Sequence, residues 1–217
     1  MKYAVLGTGM VGHTLATKLA SLGHEVRMGA RTAGNEKAVA WAAVHGPDAG
    51  EGAFSEVAAW AARIIIAVSG ANILAVADAV GPDAVAGKAV IDVTNPLDTS
   101  NGMPPTLIPE LSNTTSAAEA LQARLPEAKV VKTLNTMNHQ IMVDPARVAG
   151  AHDVFLCGDD DAAKKDVSSM LAEFGWTDPI DLGPLAAARG LEGMMPFWLR
   201  MWGVVGRADF NNSIVRG

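Results

Sequence analysis

Tyr3-Ala4-Val5-Leu6-Gly7-Thr8-Gly9-Met10-Val11-Gly12 is the stretch that decides the fold. A short apolar run ends in a Gly-x-Gly-x-x-Gly pattern. A segment from about Val11 to Leu22 follows, with Leu15, Leu19 and Leu22 at helical spacing. The pattern carries weight because it sits between a strand and a helix at the start of a βαβ unit. Gly7 allows the tight turn, Gly9 lets the backbone approach a diphosphate, and Gly12 lets helix and strand pack closely. The helix start adds free amide donors and a partial positive charge.

Outward from this stretch, apolar runs alternate with Ala-rich segments. Glu25–Met28, Ile64–Val68, Ala89–Val93 and Val130–Leu134 read as strands, and Asp153–Cys157 as a sixth. Helices are expected over about Asn35–Val44 and Asn72–Val80, and from Ser116, whose spacing to Glu119 makes a capping box, to about Arg124. Gly46-Pro47-Asp48 and Gly50-Glu51-Gly52 read as loop punctuation. Strand and helix repeated in this way imply an α/β fold, a Rossmann doubly wound parallel sheet with helices on both faces. The Met142–Gly150 loop is the expected boundary. Residues 1–142 then form the dinucleotide-binding domain, and 143–217 a small C-terminal α/β cap. The cap would hold a helix near Ala162–Glu173, a run at Pro179–Leu182 and a last helix near Leu185–Trp202.

Composition narrows the function. Of 217 residues, 49% are hydrophobic and 18% charged, enough apolar material for a packed core. The net charge of −6 argues against a nucleic-acid partner, which needs a basic face. One cysteine, Cys157, excludes an internal disulfide. Five scattered histidines offer no metal-ligand spacing, and no metal is expected. The run Met1–Leu6 is too short for a secretory leader. Ile64–Val80 and Met194–Gly206 are both interrupted by polar residues or proline. No membrane span is expected, and the expected location is cytoplasmic.

The second run ends in Met28-Gly29-Ala30-Arg31-Thr32. No carboxylate stands there to hold a ribose 2′-hydroxyl, whereas Arg31 presents a planar fork suited to a 2′-phosphate. Thr32 adds a hydroxyl donor and Lys37 a further positive charge. The expected cofactor is NADP(H). The carboxyl ends of the strands should line the cleft, which brings in Val68-Ser69-Gly70, Asn95-Pro96 and Asn135-Thr136-Met137 as ribose or nicotinamide contacts. Asn95 and Asn135 read equally well as turn residues. His139 is a candidate acid or base because imidazole titrates near neutrality. Asp159-Asp160-Asp161 reads as a helix cap, and Arg189 with Glu192 as an i, i+3 pair. Met194, Met195, Phe197, Trp198, Met201 and Trp202 form an apolar patch of the kind that signals association, here a homodimer.

Taken together, Gly7–Gly12, Leu22-Gly23-His24-Glu25-Val26 and Gly29-Ala30-Arg31, with Cys157-Gly158-Asp159-Asp160-Asp161, Lys164-Lys165 and Asp181-Leu182-Gly183-Pro184-Leu185, resemble the NADPH-dependent deazaflavin (coenzyme F420) reductase family over almost the whole chain. The resemblance implies that Thr8, Gly9, Met10 and Val11 cradle the pyrophosphate and that Ala30 and Arg31 meet the 2′-phosphate. It also implies that a deazaflavin lies over the nicotinamide, between the Rossmann half and the tail. The sequence departs from archaeal members at Asn135 and Met137, and at Val68-Ser69-Gly70, where a proline is usual. The same pattern is similar to the cytosolic part of membrane ferric reductases. The expected activity is hydride transfer between NADP(H) and a small-molecule acceptor, planar like coenzyme F420 or a flavin. Asn135, Met137 and His139 are the candidate catalytic residues. The alternatives are a reductase of a small carbonyl or imine, and a non-enzymatic NADPH-binding sensor.

Overall fold

A computed structural model describes residues 1–215. In chain order it contains β1 (Lys2–Leu6), α1 (Met10–Ser21), β2 (Glu25–Ala30), α2 (Glu36–Val44), β3 (Ala49–Ala53), α3 (Phe54–Trp60), β4 (Arg63–Ile66), α4 (Ile73–Val80), β5 (Ala89–Asp92), β6 (Leu97–Asp98), β7 (Thr106–Leu107), α5 (Ala117–Arg124), β8 (Lys129–Thr133), α6 (His139–Val143), β9 (Phe155–Gly158), α7 (Asp161–Phe174), β10 (Ile180–Asp181), α8 (Ala188–Gly193) and α9 (Met195–Val205). Eight strands form one sheet in the order β10-β9-β8-β5-β4-β1-β2-β3, and β6 pairs with β7 in a separate hairpin. From β3 to β8 every neighbour is parallel. This is the doubly wound α/β arrangement that the alternating runs imply.

Alternation along the strands fills both faces. Tyr3 and Val5 of β1 turn to one face, where Leu15, Leu19, Trp41, Val167 and Phe174 cover the sheet. Ala4 and Leu6 turn to the other, under Phe54, Val57, Ile73, Val76 and Leu121. Strands buried on both faces need continuous apolar runs, which is why Ile64, Ile65 and Ile66 stand side by side.

Two elements depart from the sequence reading. Gly50-Glu51-Gly52 is not a loop but the middle of edge strand β3, in register with Arg27, Met28 and Gly29 of β2. The glycines are compatible with a strand there because a Cβ at Gly50 would meet Arg27 Cγ at 3.3 Å, and one at Gly52 would meet Val57 Cγ1 at 3.1 Å. The last helix is broken. A 3-10 turn at Leu185–Ala187 and α8 lead into α9, and Pro196 stands in the first turn of α9, where its missing N–H does no harm.

The tail extends the same sheet. Strand β9 pairs antiparallel with β8, Val131 opposite Gly158 and Thr133 opposite Leu156. The link between them holds only the five-residue α6 and a 3-10 turn at Pro145–Arg147. Asp160 caps α7 by accepting from Ala163 N–H, as the aspartate run suggested. Cys157 is buried in β9, its Sγ 3.9 Å from the Leu185 carbonyl, and burial pushes its thiol up to about 12. Among the described residues no helix is long and apolar enough to cross a membrane.

Candidate active site

The β1–α1 turn opens the site. Gly7 has φ +131°, and a Cβ on it would lie 2.4 Å from the Ala67 carbonyl oxygen. A Cβ on Gly12 would lie 2.1 Å from the Gly7 carbonyl oxygen. Backbone packing therefore fixes both glycines. Gly9 is the N-cap of α1 and offers no capping side chain, and the first turn contains no acidic residue. The first α-helical bond runs from His13 N–H to Gly9 C=O, so the N–H groups of Met10, Val11 and Gly12 have no partner within the helix. Twelve residues of helix dipole end at this bare N-terminus.

A cavity of about 570 Å³ lies over the turn, lined by Gly7, Thr8, Gly9, Gly29, Ala30, Arg31, Asn35, Phe54, Ser69 and Asn72 among others. Arg31 is exposed at its rim, and among the described residues no carboxylate pairs with its guanidinium. The carboxylate of Glu51 on the neighbouring strand β3 accepts from Gly34 N–H at 3.0 Å and 3.2 Å. Thr32 and Lys37 are exposed and line neither this cavity nor the next.

Ala67, Val68 and Ser69 also border a second cavity of about 290 Å³, so the two cavities share a wall. Val11, Gly70, Val93, Thr94, Asn95, Leu97, Thr99, Asn135, Met137, His139, Met142 and Met195 complete it. Gly70 is forced by close approach, since a Cβ there would lie 2.0 Å from the Asn95 carbonyl oxygen. Asn95 Nδ2 donates to Asn135 C=O, and Asn135 Nδ2 donates to Asn95 Oδ1, both at 2.8 Å. Asn135 Oδ1 and Thr94 Oγ1 are buried in this wall without a hydrogen-bond partner. His139 Nδ1 lies 2.8 Å from Thr14 Oγ1 of α1. Burial, helped by the Arg147 charge, holds its imidazole below the ordinary histidine range. Pro96 and Thr136 are buried and line neither cavity. Among the described residues no group of three or more His, Cys, Asp or Glu side chains is placed to hold a metal ion.

The family model for NADP oxidoreductases that depend on coenzyme F420 matches residues 2–96, which includes the glycine turn and Arg31. A solved structure of a candidate F420-dependent NADP reductase from Arthrobacter sp. FB24 matches all of this chain over all of its own, at 49% identity with a TM-score of 0.93. This chain belongs to the F420-dependent NADP oxidoreductase family. The F420-dependent NADP reductase of Methanocaldococcus jannaschii is 33% identical over 112 residues, 51% of this chain and 48% of that protein. Metalloreductase STEAP3 of Rattus norvegicus is 31% identical over 202 residues, 91% of this chain and 38% of that protein. The chain thus spans less than half the length of either of these two relatives.

In this member of the NADP oxidoreductase family, three features of the site escape a reading by motif. Thr14 and His139 meet across 125 residues, and the helical spacing of α1 marks Thr14 only as one polar position among several. Met195 reaches the second cavity from the tail. Behind the wall lies a buried ionic cluster of Lys132, Asp92 and Glu192. This cluster also corrects the expected Arg189–Glu192 pair. Arg189 binds Glu119 instead, Nη2 to Oε1 at 2.6 Å, and Glu192 turns inward. Three charged residues on strands and a helix whose neighbours are apolar were the available signal.

Proposed function

We propose that the chain transfers hydride between NADP(H) and a planar acceptor such as coenzyme F420 or a flavin. The observation that carries this is that the two cavities adjoin, sharing Ala67, Val68 and Ser69 as a common wall between the Arg31 rim and the Asn135 side. The residues fit the dinucleotide. The bare α1 N-terminus suits a diphosphate, the unpaired Arg31 fork a 2′-phosphate, and the orphaned Thr94 Oγ1 and Asn135 Oδ1 await polar partners at the far end. Bound NADPH supplies the transferable hydride.

The protein's own part is placement and dryness. Gly7, Thr8, Gly9, Met10, Val11 and Gly12 hold the diphosphate, with Ala30, Arg31, Thr32 and Lys37 at the adenosine end. Val68, Ser69, Gly70, Asn95, Asn135 and Met137 form the nicotinamide end, and Pro96 and Thr136 hold the neighbouring chain in place. Reduction of a planar acceptor consumes one proton along with the hydride. His139 is placed to hold it, because a Thr14 hydroxyl donating to Nδ1 leaves the proton on Nε2. The same reading assigns residues 1–142 to cofactor binding and 143–217 to closing the acceptor side. It also includes a cytoplasmic location and a homodimer, the latter supported by exposed Phe197, Trp202, Val204 and Val205 on α9.

The test is NADPH oxidation by the purified protein with coenzyme F420, FMN, a ferric chelate and simple carbonyl compounds. Turnover with coenzyme F420 or FMN is the expected result. Turnover with carbonyls alone points to the small-substrate reductase. Tight NADPH binding without any turnover points to a sensor, and either outcome overturns the proposal.

A further inference from the structure

Lys132 of β8 is fully enclosed. Its Nζ donates to Asp92 Oδ2 at 2.9 Å and to the Thr94 carbonyl at 2.6 Å, and lies 2.8 Å from Glu192 Oε1. Asp92 Oδ1 accepts from Thr94 N–H at 2.8 Å. Glu192 of α8 is 1% exposed, and its carboxylate accepts from Ala117 N–H at 2.8 Å and Ala118 N–H at 3.3 Å, the first turn of α5. One residue earlier, the Leu191 carbonyl accepts from Asn135 Nδ2 at 3.1 Å. Two residues after α8, Met195 borders the acceptor-side cavity, as do Thr94, Asn95 and Asn135.

The network therefore joins three chain segments at one end of the sheet. The turn after β5, the turn after β8 and the end of α8 are tied as well by the Asn95–Asn135–Leu191 hydrogen bonds. None of Lys132, Asp92 and Glu192 touches either cavity of the dinucleotide groove. Two carboxylates converge on one ammonium. Burial opposes the charge on Lys132, but Asp92 and Glu192 outweigh it and push Lys132 up. Burial also pushes Glu192 up, against the pull of Lys132. A stable fold needs no such cluster, since apolar side chains fill an interior at least as well. What the ionic cluster adds is a fixed geometry at its ends, because each bond accepts one arrangement.

We propose that Glu192 is a positioning residue, the latch by which the C-terminal helices fix the acceptor-side wall of the site without acting on the cofactor-side pocket. The latch rests on the hydride-transfer reading above, and it assigns the 143–217 segment a specific task in that reading. Through Lys132 it sets the Thr94-Asn95 turn, and through the neighbouring Leu191 carbonyl it sets Asn135.

Glu192→Gln tests this, because it keeps the volume and removes the charge that Lys132 and the two N–H groups share. Hydrogen exchange of the full chain should show faster exchange at residues 94–97, 117–118, 135–137 and 191–195. Exchange at residues 2–30 should stay as in the parent protein. Because the diphosphate and 2′-phosphate contacts lie in the other cavity, the NADPH dissociation constant should rise by no more than about threefold, through the nicotinamide end alone, while KM for coenzyme F420 or FMN rises about tenfold, the size expected for one lost charge-assisted bond. If Glu192→Gln does not fold, Glu192→Asp carries the same measurement, since it keeps the charge but withdraws it by one methylene. Exchange that is unchanged at the named residues, or raised equally at 2–30, overturns the latch. A parent protein that fails to bind NADPH sinks the hydride-transfer reading instead, and the exchange result still judges the latch.

Discussion

The two ends of the groove are built by different means. The cofactor end is lined by the β1–α1 turn, the end of β2 with Arg31 and Asn35, Phe54, the Ala67–Ser69 turn after β4, and Asn72 with Ala75, Val76 and Ala79 of α4, and its tightest points are backbone contacts such as Gly7 against the Ala67 carbonyl. The acceptor end collects Val11, Ala67–Gly70, Val93–Asn95, Leu97, Thr99, Asn135, Met137, His139, Met142 and Met195, with buried charges behind it. A pocket whose tight points are backbone contacts is robust to distant change and fails at its own residues. A pocket made by long-range ionic ties fails when residues that never meet the ligand are altered.

The sharpest way to break that comparison is Lys132→Met. It leaves Asp92 and Glu192 buried without their shared counter-charge, so folding stability should fall by about 3–5 kcal/mol. Urea denaturation reads it, and a midpoint equal to that of the parent would mean that the cluster carries no such weight. Next comes Arg31→Ala at the opposite end. Removing one charge-assisted phosphate contact should weaken NADPH by about 1.5–3 kcal/mol, roughly 10- to 100-fold, while NADH changes little. Equal losses for both dinucleotides in fluorescence titrations would remove Arg31 from the 2′-phosphate. Stability to urea should be unchanged, which is what separates a local pocket from a tied one.

The smallest effect concerns His139. Its folded-state pKa lies below the unfolded value of about 6.5, so the fold favours the neutral ring. Its contribution to stability is complete above pH 6.5 or so and is lost as pH falls through the folded value. Melting temperatures between pH 7.5 and 5.5 should therefore drop further for the parent protein than for His139→Gln. Parallel curves for the two would show that the ring titrates as it does in water.

The same division explains what a reader of the sequence sees. The glycine turn, the alternating runs and Arg31 are local signals, and each has a short-range physical cause. Gly50-Glu51-Gly52 misleads because glycine marks turns by default, whereas here the backbone pairs with β2 and the Arg27, Glu56 and Val57 side chains fill the space beside the two glycines. The single last helix misleads because Met194 and Trp198 continue the helical spacing across the break, the sole warning being Pro196. Lys132 sits in a strand where a lysine suggests an edge. Its partners stand 40 and 60 positions away, beyond any periodicity. Arg189 and Glu192 share the right spacing, but each finds a better partner on another element.

Cys157 lies in β9, beside the ionic cluster and far from water, with its proton held up to about 12. Only a thiolate attacks a maleimide, so the native chain should be inert to alkylation at neutral pH. Labelling can proceed only in molecules in which the 185–191 segment has parted from β9. The lone sulfur is thus a native clock for that parting, and adding NADPH should slow the clock to the extent that the dinucleotide binds the closed form more tightly than the open one.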